Sequence, residues 1–204
     1  MIVIVNYGSG NIQAIANIYK ELNIAYRVAS SSDELTNAEK LILPGVGAFD
    51  KTMSCLNDSG LKQKLDELVL IKKVPVLGIC VGMQIMSNTS EEGKLAGLGW
   101  ISGEVKKFDV SKIKNKPHLP HMGWNSIKPL LKHPILEGIE EEKGFYFIHT
   151  YYFSCSQSEN VLTLTEYGGE FASAIYKENI FGAQFHPEKS HSNGIRLLKN
   201  FANL

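Results

Sequence analysis

The sequence VPVLGICVGMQ at residues 74–84 decides how this chain folds. Residues 74–79 are almost entirely apolar, as is typical of a strand buried on both faces of a parallel sheet. The next residues, Cys80-Val81-Gly82, form a tight turn with Gly78, and a helix is predicted to start at residues 82–87. Strand, turn and helix in this order place a residue at the carboxyl edge of a sheet, where open α/β folds bind their ligands.

The alternation of strand and helix occurs twice more in the N-terminal half. The apolar run at 2–5 precedes a turn and apolar residues at helical spacing over 12–22, and the run at 41–43 precedes a helical stretch over 53–68. Repeated strand–helix units predict a parallel sheet with helices on both faces.

The C-terminal half has a different pattern, with short strand-like runs and turns before a final helix over 192–204. The runs span residues 103–108, 145–153, 161–167, 171–176 and 180–185. We therefore predict a single α/β domain over residues 1–204, with a largely parallel central sheet flanked by helices and additional antiparallel strands in the C-terminal half.

Composition narrows the classes of function. Lys plus Arg and Asp plus Glu number 21 each, so the net charge is zero and no nucleic-acid partner is indicated. No apolar run has the length of a membrane span, so we expect a cytoplasmic protein with no membrane partner. One group of lysines indicates either a solvated loop or a contact surface for a partner or a phosphate: Lys106, Lys107, Lys112, Lys114 and Lys116.

Cys80 is the candidate nucleophile of the chain. A helix N-terminus favours the thiolate form, and the backbone N–H of Val81 points toward the same space, where it could stabilise an oxyanion. The alternative is a small buried apolar residue, which we favour for Cys55 and Cys155 because neither has flanking glycines. An odd number of cysteines, 3, also argues against a disulfide framework.

Gln184-Phe185-His186-Pro187-Glu188 supplies the candidate base. Pro187 favours an extended chain, in which residues two apart project to the same side, so His186 and Glu188 can share a face. Glu188 would orient the imidazole, and His186 would act as acid and base. His118 and His121 lack a third ligand, so we predict no metal site and no cofactor.

Three motifs together resemble the class I glutamine amidotransferases: PGVGAF at 44–49, GICVGMQ at 78–84 and QFHPEKS at 184–190. NYGSGN at 6–11 and PHMGWN at 120–125 look like one branch, the glutaminase subunits of imidazole glycerol phosphate synthase in histidine biosynthesis. The resemblance implies that glutamine is hydrolysed by a Cys80–His186–Glu188 triad. It also implies a heterodimer with a (β/α)8-barrel cyclase subunit, which receives the ammonia through a channel.

The resemblance implies further roles for individual residues. The oxyanion would be stabilised by Val81 together with Val46 and Gly47. The substrate glutamine would be bound by Gly45, Gly47, Gln84, Thr150 and Tyr151. The partner would be contacted at or near Asn11, Trp124, Tyr146 and Lys189.

Three other interpretations remain open. GLGW at 97–100 and EKSHSNGIRLLKNF at 188–201 look closer to a paralogous group that supplies ammonia for acetamidino sugars in surface polysaccharides, and Asn6 stands where the branch usually has Asp. A cysteine peptidase would share the turn around Cys80 but need not share PGVG or Gln84. A catalytically silent regulatory subunit would not need the intact triad.

Overall fold

The computed structural model of the chain describes residues 1–114 and 118–204. Lys116 of the lysine group therefore lies outside the described residues. An eight-stranded sheet forms the centre. Its strands are β1 (Ile2–Val5), β2 (Tyr26–Ala29), β3 (Lys40–Gly45), β4 (Val76–Cys80), β8 (Lys128–Pro129), β11 (Val161–Glu166), β12 (Glu170–Lys177) and β13 (Ile180–Ala183). Their order across the sheet is β2-β1-β3-β4-β13-β12-β11-β8.

The sheet is parallel from β2 to β13 and antiparallel from β13 to β8, which confirms the predicted fold class. Strands β1, β4 and β13 are buried along their whole length, as their apolar sequences predict. β2 was not predicted, because its sequence YRVA contains a charged residue and only its last residue, Ala29, is buried.

Three neighbouring strands end at the same edge of the sheet. Gly45 at the end of β3 pairs with Cys80 at the end of β4, and Ala183 at the end of β13 pairs with Ile79. The three motifs quoted from the sequence lie at these strand ends: PGVGAF and GICVGMQ begin within β3 and β4, and QFHPEKS follows β13. Parallel pairing therefore gathers segments that are far apart along the chain at one edge.

Helices cover the sheet: α1 (Ile12–Glu21), α2 (Phe49–Asp58), α3 (Lys62–Asp66), α4 (Val81–Gln84) and α5 (His191–Asn203). The predicted helix over 53–68 is wrong as one element, because the chain turns at Ser59-Gly60 between α2 and α3, and a π-helical turn at Glu67–Ile71 follows. Gly60 has a φ of +71°, which ends the helix there. No helix in the described part of the chain has the length and apolar character needed to cross a membrane.

The predicted strand over 145–153 is two strands in two different small sheets. β9 (Phe145–His149) pairs with β7 (His121–Asn125), whereas β10 (Tyr151–Cys155) pairs with β6 (Gly103–Lys107), which continues to β5 (Thr89–Ser90). The chain changes sheets at Thr150. The sequence did not predict β7, because polar and apolar residues alternate there over only five positions.

Candidate active site

The backbone turns sharply at Cys80, where β4 meets α4. Cys80 has φ 53° and ψ −113°. Residues other than glycine rarely adopt a backbone conformation with positive φ. The turn packs directly on the end of β3, since a Cβ on Gly82 would lie 1.9 Å from the Leu43 carbonyl oxygen. The predicted helix start at 82–87 is a single helical turn, so the helix dipole behind Cys80 is small.

His186 and Glu188 face each other beyond the end of β13. His186 Nδ1 lies 2.7 Å from Glu188 Oε1, and both side chains are buried. The predicted contact is present, but the predicted extended geometry is wrong beyond His186: residues Pro187–Lys189 form a 3₁₀ turn with Pro187 at its first position. The turn folds Glu188 back toward the imidazole.

The imidazole of His186 is adapted to carry a proton. Burial lowers the pKa of His186, but hydrogen bonding to Cys80 and Glu188 and the negative charge of both groups outweigh the burial and raise it to about 10. One ring nitrogen faces Glu188 and the other faces Cys80.

Gln184 also contacts the sulfur, and the sequence analysis did not single it out. Its Nε2 donates to Cys80 Sγ at 3.7 Å, while its Oε1 accepts from Gln84 Nε2 at 2.9 Å. Its position two residues before His186 in the quoted motif was the available signal. Hydrogen bonds from Gln184 and from a protonated His186 would both stabilise negative charge that develops on the sulfur.

A cavity of about 380 Å³ opens above these groups. It is lined by Val46, Gly47, Cys80, Val81, Gln84, Glu92, Pro120, Ile148, His149, Thr150, Tyr151, His186 and Lys189. Most of the residues predicted for the triad, the oxyanion and the substrate therefore meet at one cavity. Glu188 stands behind His186 rather than on the cavity wall. Within the described residues, no three His, Cys, Asp or Glu side chains are grouped as a metal ion requires.

Two acceptors in the cavity suit a ligand ammonium group. Gln84 donates both of its amide hydrogens inside the protein, to Tyr151 O at 3.0 Å and to Gln184, which leaves its Oε1 for a ligand. Glu92 accepts from the Phe49 N–H at 2.8 Å with Oε2 only. Glu92 was not predicted from the sequence, because nothing in the polar stretch after β5 distinguishes it from its neighbours.

The loop after β3 is held by Ser9. The Val46 N–H donates to Ser9 Oγ at 3.0 Å, and Ser9 Oγ lies 3.1 Å from the Val46 carbonyl oxygen. Val46 therefore uses its N–H within the protein. The N–H of Gly47 is therefore the remaining candidate oxyanion donor of this loop, beside the N–H of Val81. Gly47 has a φ of +91°, and nothing lies within 4 Å of the place that a Cβ would take.

The residues predicted for a partner interface fall outside or at the rim of the cavity. Trp124 is 49% exposed and stacks on His191, and Lys189 lies over the Tyr146 ring at 5.7 Å from its centroid. Asn11 lies at the start of α1, after the end of β1. Of these residues only Lys189 lines the cavity.

An elbow cysteine beside a histidine–glutamate pair, at a cavity on the edge of an α/β sheet, is an arrangement suited to nucleophilic hydrolysis. The family Glutamine amidotransferase class-I matches residues 3–204, and the chain belongs to this family. Two similar proteins are each named "Imidazole glycerol phosphate synthase subunit HisH". The protein of Bdellovibrio bacteriovorus is 51% identical and that of Leptospira interrogans 47%, and both alignments cover 100% of each chain.

Solved structures agree on the fold at lower identity. PurLQS from Thermotoga maritima aligns with a TM-score of 0.75 at 16% identity, covering 99% of this chain and 97% of that one. A glutamine amidotransferase from Thermotoga maritima aligns with a TM-score of 0.64 at 16% identity, covering 98% of this chain and 82% of that one. The architecture described above is therefore shared with these proteins.

Proposed function

We propose that the chain is the glutaminase subunit of an imidazole glycerol phosphate synthase, and that it supplies ammonia to a separate cyclase subunit in histidine biosynthesis. The observation that carries the proposal is the meeting of Cys80 and His186 at one cavity, with Glu188 bonded to the far side of the imidazole, in a chain 47% and 51% identical over its full length to subunits of that name. Those names denote subunits, which supports a partner. The partner's (β/α)8-barrel form and the heterodimer follow from the resemblance in sequence.

The first half-reaction forms a thioester. Cys80 attacks the side-chain amide carbon of glutamine, so that a carbon–sulfur bond forms and the carbonyl oxygen becomes an oxyanion. The Val81 and Gly47 N–H groups would stabilise this oxyanion, and one such donor is worth about 10²–10³ in rate. His186 then gives its proton to the departing nitrogen, and the carbon–nitrogen bond breaks to release ammonia.

The second half-reaction restores the enzyme. His186, now neutral, takes a proton from water, and the resulting hydroxide adds to the thioester carbon. The carbon–sulfur bond breaks, glutamate leaves, and the sulfur of Cys80 and the proton held by His186 are restored for the next cycle. Glu188 holds the ring through both steps, because its bond to Nδ1 fixes the tautomer in which Nε2 faces the sulfur.

Substrate binding would use several polar groups of the cavity wall. Glu92 and Gln84 Oε1 would accept hydrogen bonds from the substrate's ammonium group. The Thr150 and Tyr151 carbonyls are already used by Phe108, His149 and Gln84, so this segment would contact the substrate through its N–H groups. Gly45 shapes the pocket from behind, since a Cβ there would lie 2.3 Å from Gly82 N.

The test uses the complex with its synthase subunit. The Cys80→Ala variant should lose glutamine-dependent turnover and keep turnover with added ammonium salt, because the acceptor site lies on the partner. Retained glutamine hydrolysis in Cys80→Ala would overturn the proposal. A diazoketone analogue of glutamine tests the alternative of a catalytically silent subunit, because it should label Cys80 stoichiometrically only if the site is active. Peptide and ester substrates test the alternative of a peptidase, and they should not be cleaved.

A second candidate acceptor, a sugar of a surface-polysaccharide pathway, is favoured only by GLGW and the C-terminal sequence. Trp100 of GLGW donates to Asp66 Oδ1 at 2.7 Å and packs against α3, away from the cavity. GLGW would therefore not select an acceptor, and the glutaminase chemistry would be the same with either partner. Reconstitution with each class of synthase partner separates the two, since only the true partner should stimulate glutamate release.

A further inference from the structure

Two buried imidazoles link the cavity wall to strand β7. His121 Nδ1 lies 2.9 Å from His149 Nε2, because the two residues are paired directly across β7 and β9. His149 Nδ1 lies 2.7 Å from the Tyr151 carbonyl oxygen, and His121 Nε2 lies 3.2 Å from Asn125 Nδ2. Each ring nitrogen therefore has one partner, and neither histidine belongs to the predicted triad.

The groups at the two ends of this series, the Tyr151 carbonyl and the Asn125 amide, determine which atom donates in each hydrogen bond. The Tyr151 carbonyl can only accept, so His149 Nδ1 carries the hydrogen and its Nε2 accepts from His121. The amide of Asn125 is oriented by the Ser126 N–H, which donates to Oδ1 at 2.9 Å, so that Nδ2 faces His121 Nε2. Both rings are then neutral, and every hydrogen bond in the series is satisfied.

The series continues from Tyr151 to the nucleophile. The Tyr151 carbonyl accepts from Gln84 as well as from His149, and the second Gln84 hydrogen goes to Gln184 Oε1. Gln184 in turn donates to Cys80 Sγ. Five hydrogen bonds therefore connect His121 to the sulfur, and each one fixes the orientation of the next group.

Packing alone does not explain this pair. The rings lie among aromatic side chains: His121 stacks on Tyr167 with centroids 4.0 Å apart, and Phe108, Phe147 and Phe171 surround both histidines. A pair of phenylalanines would fill such a site without polar atoms that must be satisfied. Burial lowers the pKa of His121 to about 4 and of His149 to about 3, which keeps both rings neutral near pH 7.

We propose that His149 is a positioning residue for Cys80: it fixes the Tyr151 carbonyl, which orients the Gln84 and Gln184 amides so that one N–H points at the sulfur, while His121 holds the His149 ring in the tautomer that donates from Nδ1. The inference rests on the proposed nucleophilic role of Cys80. It adds two residues, one of them remote from the substrate, that control the reactivity of the sulfur without touching the reacting atoms.

The test compares two amide variants of one residue. In His149→Asn the amide nitrogen takes the place of Nδ1 and can donate to Tyr151, but the contact with His121 is lost. In His149→Gln the amide takes the place of Nε2, so the contact with His121 is kept and the donor to Tyr151 is lost. The readout is alkylation of Cys80 by iodoacetamide in the purified chain, followed from pH 5 to 10 by mass spectrometry of its peptide.

His149→Asn should react within about twofold of the parent protein, whereas His149→Gln should react roughly tenfold more slowly at pH 7, with its pH profile displaced upward. Asparagine leaves the larger void, so a purely structural role predicts the opposite order. If His149→Gln does not fold, His149→Phe keeps the ring packing, lacks the same donor and should show the same loss.

Equal rates in the variants with and without the donor would overturn the positioning role while leaving the proposed function intact, provided that the parent protein is alkylated at Cys80 and labelled by the diazoketone analogue. Absence of labelling in the parent, in the complex as well as alone, would instead overturn the proposed function and this inference with it.

Discussion

At the scale of single residues, the backbone of Cys80 is the least favourable local feature of the site. A residue with a side chain at φ 53° and ψ −113° costs about 1–3 kcal/mol relative to an ordinary conformation. The surrounding contacts maintain it, since Gly82 and Gly45 allow β3 and the turn to approach at backbone distance. This conformation directs the sulfur toward the cavity and His186. The site therefore holds the nucleophile in a fixed orientation at a cost in folding stability.

This strain predicts an unusual order of stability for variants of Cys80. Cys80→Gly removes the strain, whereas Cys80→Ala keeps it, and both remove the same buried thiol. Glycine also gains about 0.4–1 kcal/mol of freedom in the unfolded chain, which offsets part of the relief. We expect Cys80→Gly to be about 1 kcal/mol more stable than Cys80→Ala in urea denaturation. An alanine variant as stable as the glycine variant would show that the turn is unstrained.

At the scale of elements, the contact between β3 and the turn after β4 is made by backbone. A Cβ on Gly82 would lie 1.9 Å from the Leu43 carbonyl oxygen and 3.1 Å from the Pro44 carbonyl carbon. These atoms belong to the sheet and cannot move aside. We therefore expect Gly82→Ala to destabilise the protein by about 3 kcal/mol or more in chemical denaturation.

Gly60→Ala is the matched control for Gly82→Ala. Gly60 has a φ of +71°, but nothing lies within 4 Å of the place that a Cβ would take, so the control carries backbone strain without a clash. It should lose only about 1 kcal/mol. Similar losses in both variants would contradict a backbone contact at the turn.

The two buried histidines of strands β7 and β9 should make the free energy of unfolding depend on pH. His121 and His149 have pKa values of about 4 and about 3 in the folded protein, below the usual 6.5, because they are buried. The unfolded chain therefore binds more protons between these values and pH 6.5, and the free energy of unfolding falls as the pH decreases through that window. The titratable groups facing the pair are Tyr167 and His186, besides the two histidines themselves.

The expected loss is roughly 3 kcal/mol or more between pH 7 and pH 4, from about 1.4 kcal/mol per pKa unit. The measurement is urea denaturation across this range. The double variant His121→Phe/His149→Phe should show a flatter dependence, because it has no imidazole to protonate at this site. An unchanged slope in the double variant would place the acid sensitivity elsewhere.

The sequence predicted those elements whose burial is visible in local pattern. β1, β4 and β13 are continuous apolar runs, and α1 and α5 have apolar residues at helical spacing. The change of sheets at Thr150 has no such pattern, because strand-forming residues stand on both sides of it. The helix break at Ser59-Gly60 was also missed, since the apolar spacing continues across it through Leu61 and Leu65.

The residues of the site also fall into two groups, those predictable from local sequence and those whose roles depend on tertiary contacts. Cys80, His186 and Glu188 were predictable because each stands in a local motif after a strand. Gln184, Glu92 and the histidine pair were not, because their roles depend on pairings between distant segments: His121 meets His149 only through the register of β7 and β9. Sequence indicates where a reactive group lies, whereas the groups that orient it are decided by tertiary contacts.

At the scale of the whole molecule, the cavity edge carries exposed apolar side chains. Val46, on the cavity wall, is 44% exposed, and β7, which follows the cavity residue Pro120, presents Met122 at 59% and Trp124 at 49%. The other face of β7 carries His121 and Asn125, so this strand contacts solvent on one side and the hydrogen-bonded series to Cys80 on the other. A partner seated on this edge would cover the cavity mouth and receive ammonia without its passing through bulk solvent.

The double variant Met122→Ser/Trp124→Ala tests this surface. Because exposed tryptophans at interface centres often contribute about 2 kcal/mol or more, the affinity for the synthase subunit should fall at least about thirtyfold in calorimetric titration. Ile71→Ser is the matched control: Ile71 is 77% exposed but lies before β4, at the amino end of the parallel strands and so opposite the cavity. All three side chains are exposed, so neither variant should lower the melting temperature appreciably. Equal weakening by the control, or undiminished affinity of the double variant, would mean that the partner binds through another face and that ammonia must leave the cavity by a different route.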